Sequence, residues 1–80
     1  MINMSDNIVA FVLINVETGS EHDIHSSLQA IPEVKESYIT FGSWDMIAKI
    51  TTENLNKLES IVMEIRKIQG VGQTTTLVST

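Results

Sequence analysis

The sequence predicts an α+β fold in which four strands form one antiparallel sheet and two helices cover one face of that sheet. Segments rich in β-branched residues and segments with apolar residues at helical spacing follow one another as strand, helix, strand, strand, helix, strand. Both helical segments also end alike, because Ile31-Pro-Glu-Val34 and Ile68-Gln-Gly-Val71 each lead from an isoleucine through two residues into a strand. This doubled βαβ pattern indicates the ferredoxin-like arrangement, with the first and third strands central.

The first strand is predicted at Ile8–Val16, a nearly continuous apolar run. Alternate residues of a strand point to opposite faces, and here both sets are apolar: Ala10, Val12 and Ile14 on one face, Val9, Phe11 and Leu13 on the other. Helices cover only one face. We therefore expect a dimer that stacks its sheets or extends a sheet across an edge, which also supplements the small core of an 80-residue chain.

Ser20 is predicted to begin the first helix as a side-chain cap, paired with Asp23 in a capping box. Its apolar stripe is Ile24, Leu28 and Ile31, and Pro32 stops the helix.

The second helix is predicted to follow a cap at Asn54 and to end at Gly70. Its broader stripe comprises Leu55, Leu58, Val62 and Ile65, joined by Ile61 and Ile68. Arg66 and Lys67 stand in its last turn, where cations complement the negative end of the helix dipole.

Residues 34–41 and 45–51 are predicted to form a hairpin around Gly42, Ser43 and Trp44. The last strand is predicted at Val71–Ser79, since its three successive threonines favour extended structure.

Length and composition predict one domain at residues 8–80 after a loose tail at residues 1–7. The chain has no cysteine, which excludes disulfides and thiolate chemistry and suits the cytoplasm. Ten acidic and five basic residues give a net charge of −5 without a basic patch, so direct nucleic-acid binding is not expected. No apolar run has the roughly 18–20 residues that a membrane helix needs.

Few residue patterns in the sequence indicate catalysis. His22 and His25 lie three apart on the first helix, but no third metal ligand is indicated, and a solvated helix face is the simpler interpretation. The sequence lacks a nucleophile elbow and a phosphate-binding loop, and it indicates no acid and base pair. We expect no catalytic residues, no metal and no cofactor.

The central turn is the best candidate for a binding site, although Gly, Ser and Asp also collect in turns for conformational reasons. Asp45 follows Trp44 and can pair with an ammonium group, while turn amides and threonine hydroxyls accommodate a carboxylate. Thr74 and Thr76 share one face of the last strand. They either serve only as β-branched residues of an edge strand, or their hydroxyl groups hydrogen-bond a polar ligand. A ligand held between the turn of one subunit and this strand of another would be a small zwitterion.

Four segments together resemble the ligand-binding (RAM) domain of the Lrp/AsnC regulators: residues 10–16, 31–36, 41–49 and 68–76. The resemblance implies a dimer that often assembles into a ring of dimers and binds amino acids at subunit contacts. It implies that the ligand loop is Gly42, Ser43, Trp44 and Asp45, facing Thr74 and Thr76, with Tyr38 added for its proximity on the strand.

Regulators of that family carry an N-terminal helix-turn-helix domain, whereas seven residues precede the first strand here. We therefore expect a stand-alone, non-enzymatic, amino-acid-sensing effector domain that has no DNA-binding element of its own and can assemble with full-length relatives. The alternative is a small dimeric enzyme of the cofactor-independent monooxygenase or isomerase type, for which fold analogy is the only support.

Overall fold

The computed structural model describes residues 7–79, which form six elements in the predicted order. These elements are β1 (Ile8–Val16), α1 (Glu21–Gln29), β2 (Val34–Ile39), β3 (Met46–Thr52), α2 (Leu55–Arg66) and β4 (Val71–Ser79). The antiparallel sheet has the strand order β2-β3-β1-β4, so the predicted fold with β1 and β3 at its centre is confirmed. The predicted tail lies outside the described residues except for Asn7. Neither helix is long and apolar enough to cross a membrane.

The core lies between the helices and one face of the sheet. On β1 it takes Ala10, Val12 and Ile14, and their antiparallel partners on β3 are Ile50, Ala48 and Met46. Directly opposite residues of an antiparallel pair share a face, so β3 extends the same apolar surface. Within residues 7–79 no buried core residue is aromatic, and the core consists of Ala10, Val12, Ile14, Ile24, Leu28, Ile31, Met46, Ala48, Ile50, Leu58, Ile61 and Ile65. The predicted apolar stripe of α1 is confirmed, and on β1 the helices cover the face of Ala10, Val12 and Ile14.

The other face of the sheet has no helix over it and carries apolar residues of β1 and β4 beside the polar residues Lys49 and Thr51 of β3. Val9, Phe11 and Leu13 are only partly buried there, and Leu77 of β4, which pairs with Phe11, is 53% exposed. No element within residues 7–79 covers this face. The dimer inferred from the sequence therefore stays a prediction.

The two helices begin differently. Asn54 caps α2 as predicted, because its Oδ1 accepts the Lys57 amide at 2.8 Å. The capping box at Ser20 is wrong, since Ser20 has helical backbone angles and its side chain makes no cap hydrogen bond. Glu21 instead accepts the amide of Gly19 at 3.0 Å. Leu55 also departs from the predicted apolar stripe, because the first helical position is at the rim of the core and leaves its side chain 60% exposed.

The two helix-to-strand joints are equivalent, as the sequence repeat predicts. The amide of Val34 donates to the carbonyl of Ile31 at 3.0 Å, and the amide of Val71 donates to that of Ile68 at 3.1 Å. Each joint is thus a four-residue β-turn. Both helices end before these turns, at Gln29 and Arg66, so the predicted stops Pro32 and Gly70 act inside the turns and not at the last helical residue.

The central hairpin is shorter than predicted. β2 ends at Ile39 and not at residue 41, and β3 begins at Met46 and extends to Thr52. Thr40 closes the loop, because its amide donates to the Asp45 carbonyl at 2.8 Å and its hydroxyl donates to the Trp44 carbonyl at 2.7 Å. Phe41 is therefore in the turn, fully exposed.

A register shift interrupts the pairing of β1 with β4. Ile14 pairs with Thr74, whereas Val16 pairs with Val71, so β4 contains one extra residue over this interval. Gly72 lies in the interval, and a Cβ placed on it would be 3.4 Å from the Asn15 carbonyl oxygen. Glycine within a strand is typical of such a bulge and of a close backbone approach.

We predict that Gly70→Ala destabilises the domain more than Gly19→Ala. Both glycines have positive φ, 96° and 91°, so each substitution costs about 1–2 kcal/mol in backbone strain. Only at Gly70 does the added methyl group meet neighbours, with Ser20 Oγ at 2.9 Å, which adds about 1–3 kcal/mol. Chemical denaturation of both variants measures the difference, and equal losses would contradict the packing found at Gly70.

Asn54→Ala is expected to lower the free energy of unfolding by about 1 kcal/mol, because the Lys57 amide loses its acceptor. Ser20→Ala is the matched comparison, since Ser20 occupies the same position before α1 without a side-chain cap hydrogen bond; its expected loss is below about 0.5 kcal/mol. Urea denaturation of the two variants measures both losses in the free energy of unfolding. A larger loss from Ser20→Ala would refute the assignment of the side-chain cap to Asn54.

Candidate functional site

The central turn is fastened to the end of β1 by backbone and side-chain hydrogen bonds. The side-chain amide of Asn15 donates to the Ser43 carbonyl at 3.0 Å, and the Asp45 amide donates to the Ile14 carbonyl at 2.9 Å. Gly42 has a φ of 133°, which glycine adopts without a side-chain clash. The turn is thus held against the sheet at a defined position, although Gly42 and Ser43 are themselves exposed.

Asp45 provides a further connection to β1. Its Oδ2 accepts the Val16 amide at 2.8 Å and lies 3.5 Å from the Asn15 side-chain amide. The carboxylate therefore takes the place that a backbone carbonyl would occupy in the ladder. Its Oδ1 has no hydrogen-bond partner within residues 7–79. Asp45 consequently combines a structural hydrogen bond with one carboxylate oxygen that remains available.

Thr74 and Thr76 lie on the face of the sheet that carries the helices. Thr74 pairs with Ile14 and Thr76 with Val12, and both partners belong to the core. Thr75 pairs with Leu13 and is on the opposite face. The predicted sharing of one face by Thr74 and Thr76 is confirmed, and it is the helix side.

Trp44 and Thr74 line one surface depression, which we call the Trp44 hollow. Its volume is about 470 Å³, and its other lining residues are Arg66 from the end of α2 and Gly72, Gln73 and Thr75 from β4. The structure thus brings the turn and the threonine strand together within one chain. Trp44 is only partly buried, so its ring remains available for contact with a ligand.

Thr76 lines a second depression, the α2 hollow, of about 390 Å³. Four side chains of α2 make this hollow mainly apolar: Leu55, Leu58, Val62 and Met63. Glu59 and Arg66 from the same helix supply its charged groups. Arg66 lines both hollows, so the two depressions adjoin at its side chain.

Tyr38 lies apart from both hollows. It pairs with Ile47, and its hydroxyl donates to Glu36 Oε1 at 2.6 Å. This hydrogen bond, together with the ammonium group of Lys49 3.7 Å from Glu36 Oε2, lowers the pKa of Glu36; the same hydrogen bond raises the pKa of Tyr38. Tyr38 therefore belongs to a polar cluster at the border of the uncovered apolar face.

The two histidines of α1 have different surroundings. His22 is exposed as predicted, but His25 is partly buried and its Nε2 lies 3.2 Å from the Ser37 carbonyl, to which it donates. The prediction of a solvated face is therefore wrong for His25, which connects α1 to β2. Within residues 7–79 no group of three or more His, Asp or Glu side chains is arranged to hold a metal ion.

Sequence reasoning missed four contributors to the Trp44 hollow: Arg66, Gly72, Gln73 and Thr75. Arg66 was assigned only to the helix dipole, and its reach toward β4 has no signal in the sequence pattern. Gly72 has no assigned role in the sequence-based prediction, which ends the helix at Gly70. A glycine inside a strand pattern does indicate a bulge, so Gly72 was recognisable as the position where β4 departs from regular pairing.

Comparison with known proteins gives one consistent result. The chain is 39% identical over 72 residues to the HTH-type transcriptional regulator FL11 of Pyrococcus furiosus, and the match covers 90% of this chain and 48% of that protein. The chain thus spans about half the length of the curated relatives it matches. The crystal structure of FFRP-DM1 has a TM-score of 0.87 at 35% identity and covers 91% of this chain and 99% of that one.

A transcriptional regulator from Neisseria meningitidis, whose crystal structure is an L-Met complex, shares the fold with a TM-score of 0.84 at 17% identity. The match covers 91% of this chain and 49% of that one. The family model described as the Lrp/AsnC ligand binding domain matches residues 9–80. This match takes in nearly the whole sequence, and the chain therefore belongs to the Lrp/AsnC ligand-binding domain family.

Proposed function

We propose that this chain is an amino-acid-sensing, oligomeric effector domain that acts without catalysis in the regulation of transcription in the cytoplasm. The observation that carries the proposal is the Trp44 hollow, where the anchored turn meets the threonines of β4. The relatives of the domain are transcriptional regulators by name, which supports a regulatory role over an enzymatic one.

The groups around the turn suit the two charged ends of an amino acid. Asp45 Oδ1 is free of partners within the described residues and can accept an ammonium group. The hydroxyl of Thr74 and the backbone amides of the exposed turn can donate to a carboxylate. The Neisseria regulator was solved as an L-Met complex, so methionine belongs among the first amino acids to titrate.

The proposed oligomer is a dimer formed through the uncovered apolar face of the sheet. Phe11 and Leu13 of β1 and Leu77 of β4 lie on this face, and burying them against a second copy removes apolar surface from water. A ring of dimers would bring further subunits to the exposed turn, where a neighbour completes the ligand site.

The DNA-binding function is proposed to come from a partner. The net charge of −5 is unfavourable for direct contact of this domain with phosphates. We propose that the domain mixes with full-length relatives and alters their assembly when an amino acid binds.

Two substitutions of Asp45 separate its structural role from its role in binding. Asp45→Asn keeps an oxygen for the Val16 amide, so near-native stability is expected; Asp45→Ala removes it and should cost about 1.5–3 kcal/mol. Both remove the negative charge, so both should weaken amino-acid binding in isothermal titration. Wild-type affinity in Asp45→Asn would refute the proposed contact with the ammonium group.

We expect Leu13→Glu to convert the oligomer into monomers, because it places a charge on the uncovered face opposite the uncharged residues Ile47 and Thr75. Ser60→Glu is the control, since it adds the same charge at an exposed position of α2. Sedimentation velocity at micromolar concentration measures the outcome, with circular dichroism to check folding. A wild-type protein that sediments as a monomer would contradict the proposed dimer.

A further inference from the structure

Phe41 is the most exposed large apolar residue in the part of the chain that the structure describes, with a relative exposure of 104%. The turn that carries it is held by hydrogen bonds on both sides. Before Phe41, the Thr40 amide donates to the Asp45 carbonyl at 2.8 Å. After it, the Asn15 side-chain amide donates to the Ser43 carbonyl at 3.0 Å. The phenyl ring therefore projects from a fixed backbone, and its burial requires no rearrangement of the turn.

The α2 hollow offers an apolar surface that can receive such a ring. Its volume of about 390 Å³ lies within the range of pockets that hold small molecules. Leu55 and Met63 on its walls are 60% and 48% exposed. A methionine side chain adapts to the shape of a partner and makes favourable contacts with aromatic rings. The hollow thus has both the size and the chemistry to bury a phenylalanine.

The exposed ring and the hollow lie at different places on the chain. Phe41 lines neither the α2 hollow nor the Trp44 hollow, so a chain does not fill its own hollow with this residue. A protruding apolar residue that complements a hollow elsewhere on the same chain makes a head-to-tail contact between copies.

The charges around the two surfaces permit this contact between copies. Each copy carries a net charge of −5, which opposes association in general. Residues 38–44 contain no charged side chain, and the hollow carries one acid and one base, Glu59 and Arg66. The turn and the hollow can therefore approach each other without local repulsion.

We propose that Phe41 of one copy of the chain inserts into the α2 hollow of a second copy, where it contacts Leu55 and Met63. This contact rests on the proposed function, because it names the surface through which a further subunit meets the exposed turn. It is separate from the proposed sheet dimer, which buries Leu13 on the uncovered face.

The area of the contact limits what it can hold together. A phenylalanine buries about 150–250 Å², whereas a stable interface buries at least about 1,000 Å² in total. One inserted ring is therefore too little to join two monomers at micromolar concentration. Between dimers the contact is repeated, because each dimer carries two turns and two hollows, and a closed ring of dimers engages them all.

Sedimentation velocity of the full chain, from micromolar to submillimolar concentration, tests the contact. We expect the wild type to form species heavier than a dimer. Phe41→Ser removes the ring, and Met63→Glu places a charge in the hollow, so each variant should lose these species and sediment as a dimer.

Two matched variants serve as controls. Phe41→Leu keeps an apolar side chain on the turn, and Ser60→Glu adds the same charge as Met63→Glu at an exposed position of α2 outside the hollow. Both should retain the species heavier than a dimer. Circular dichroism checks that all four variants fold. Loss of the heavier species in Ser60→Glu would assign the effect to charge alone and overturn the inference.

A mixture of the two disruptive variants tests the direction of the contact. Phe41→Ser retains an intact hollow and Met63→Glu retains an intact Phe41, so an equimolar mixture should again form species heavier than a dimer. A mixture that stays dimeric overturns the inference. Loss of the heavier species in Phe41→Ser but not in Met63→Glu means that the rings contact each other, which also overturns it.

The state of the wild type separates this inference from the proposed function. A wild type that sediments only as a dimer at every concentration overturns the inserted Phe41 and leaves the sheet dimer and the sensing role intact. A wild type that sediments only as a monomer overturns both the inserted Phe41 and the sheet dimer.

Discussion

The hydrogen bond from the Val16 amide to the Asp45 carboxylate, 2.8 Å long, is the interaction on which the candidate site depends. Just beyond Ile14 the regular pairing of β1 changes on both sides. The register with β4 shifts, and the pairing with β3 ends at Met46, next to the central turn. The carboxylate occupies the vacant ladder position there. It thereby holds the turn, and Trp44 within it, toward the start of β4.

This arrangement explains why one residue can serve both folding and recognition. One carboxylate oxygen of Asp45 is hydrogen-bonded inside the fold. This bond fixes the orientation of the second oxygen, which can still accept a hydrogen bond. A group whose rotamer is fixed by a structural hydrogen bond binds a ligand with less loss of conformational entropy. The structural and functional roles of the turn are therefore complementary, and the sequence alone presented them as alternatives.

The parts of the fold that follow local rules were predictable. The repeated Ile-to-Val joints and the apolar periodicity identified all six elements, and the cap at Asn54 followed from its residue type. Ser20 shows the limit of that reasoning, because its backbone angles exclude a side-chain cap despite a favourable residue type. Residue type alone therefore does not determine whether a cap forms, and the Ser20 side chain lies beside Gly70.

The candidate site depends on register, which local patterns do not contain. Alternation showed that Thr74 and Thr76 share a face, but only the pairing with Ile14 and Val12 identifies it as the helix face. The separation of these two threonines into different hollows, and the presence of Arg66 in both, arise from the packing of α2 across β4. Packing between elements that are distant along the chain leaves no recognisable pattern in the sequence.

Trp44 is the only tryptophan of the chain, so its fluorescence reports directly on whether the anchored turn forms the ligand site. In a titration of the wild-type protein with L-methionine, we expect a saturable change in Trp44 emission with the same midpoint as the heat of binding. Calorimetric binding with unchanged Trp44 emission would place the ligand away from the turn and contradict the proposed site.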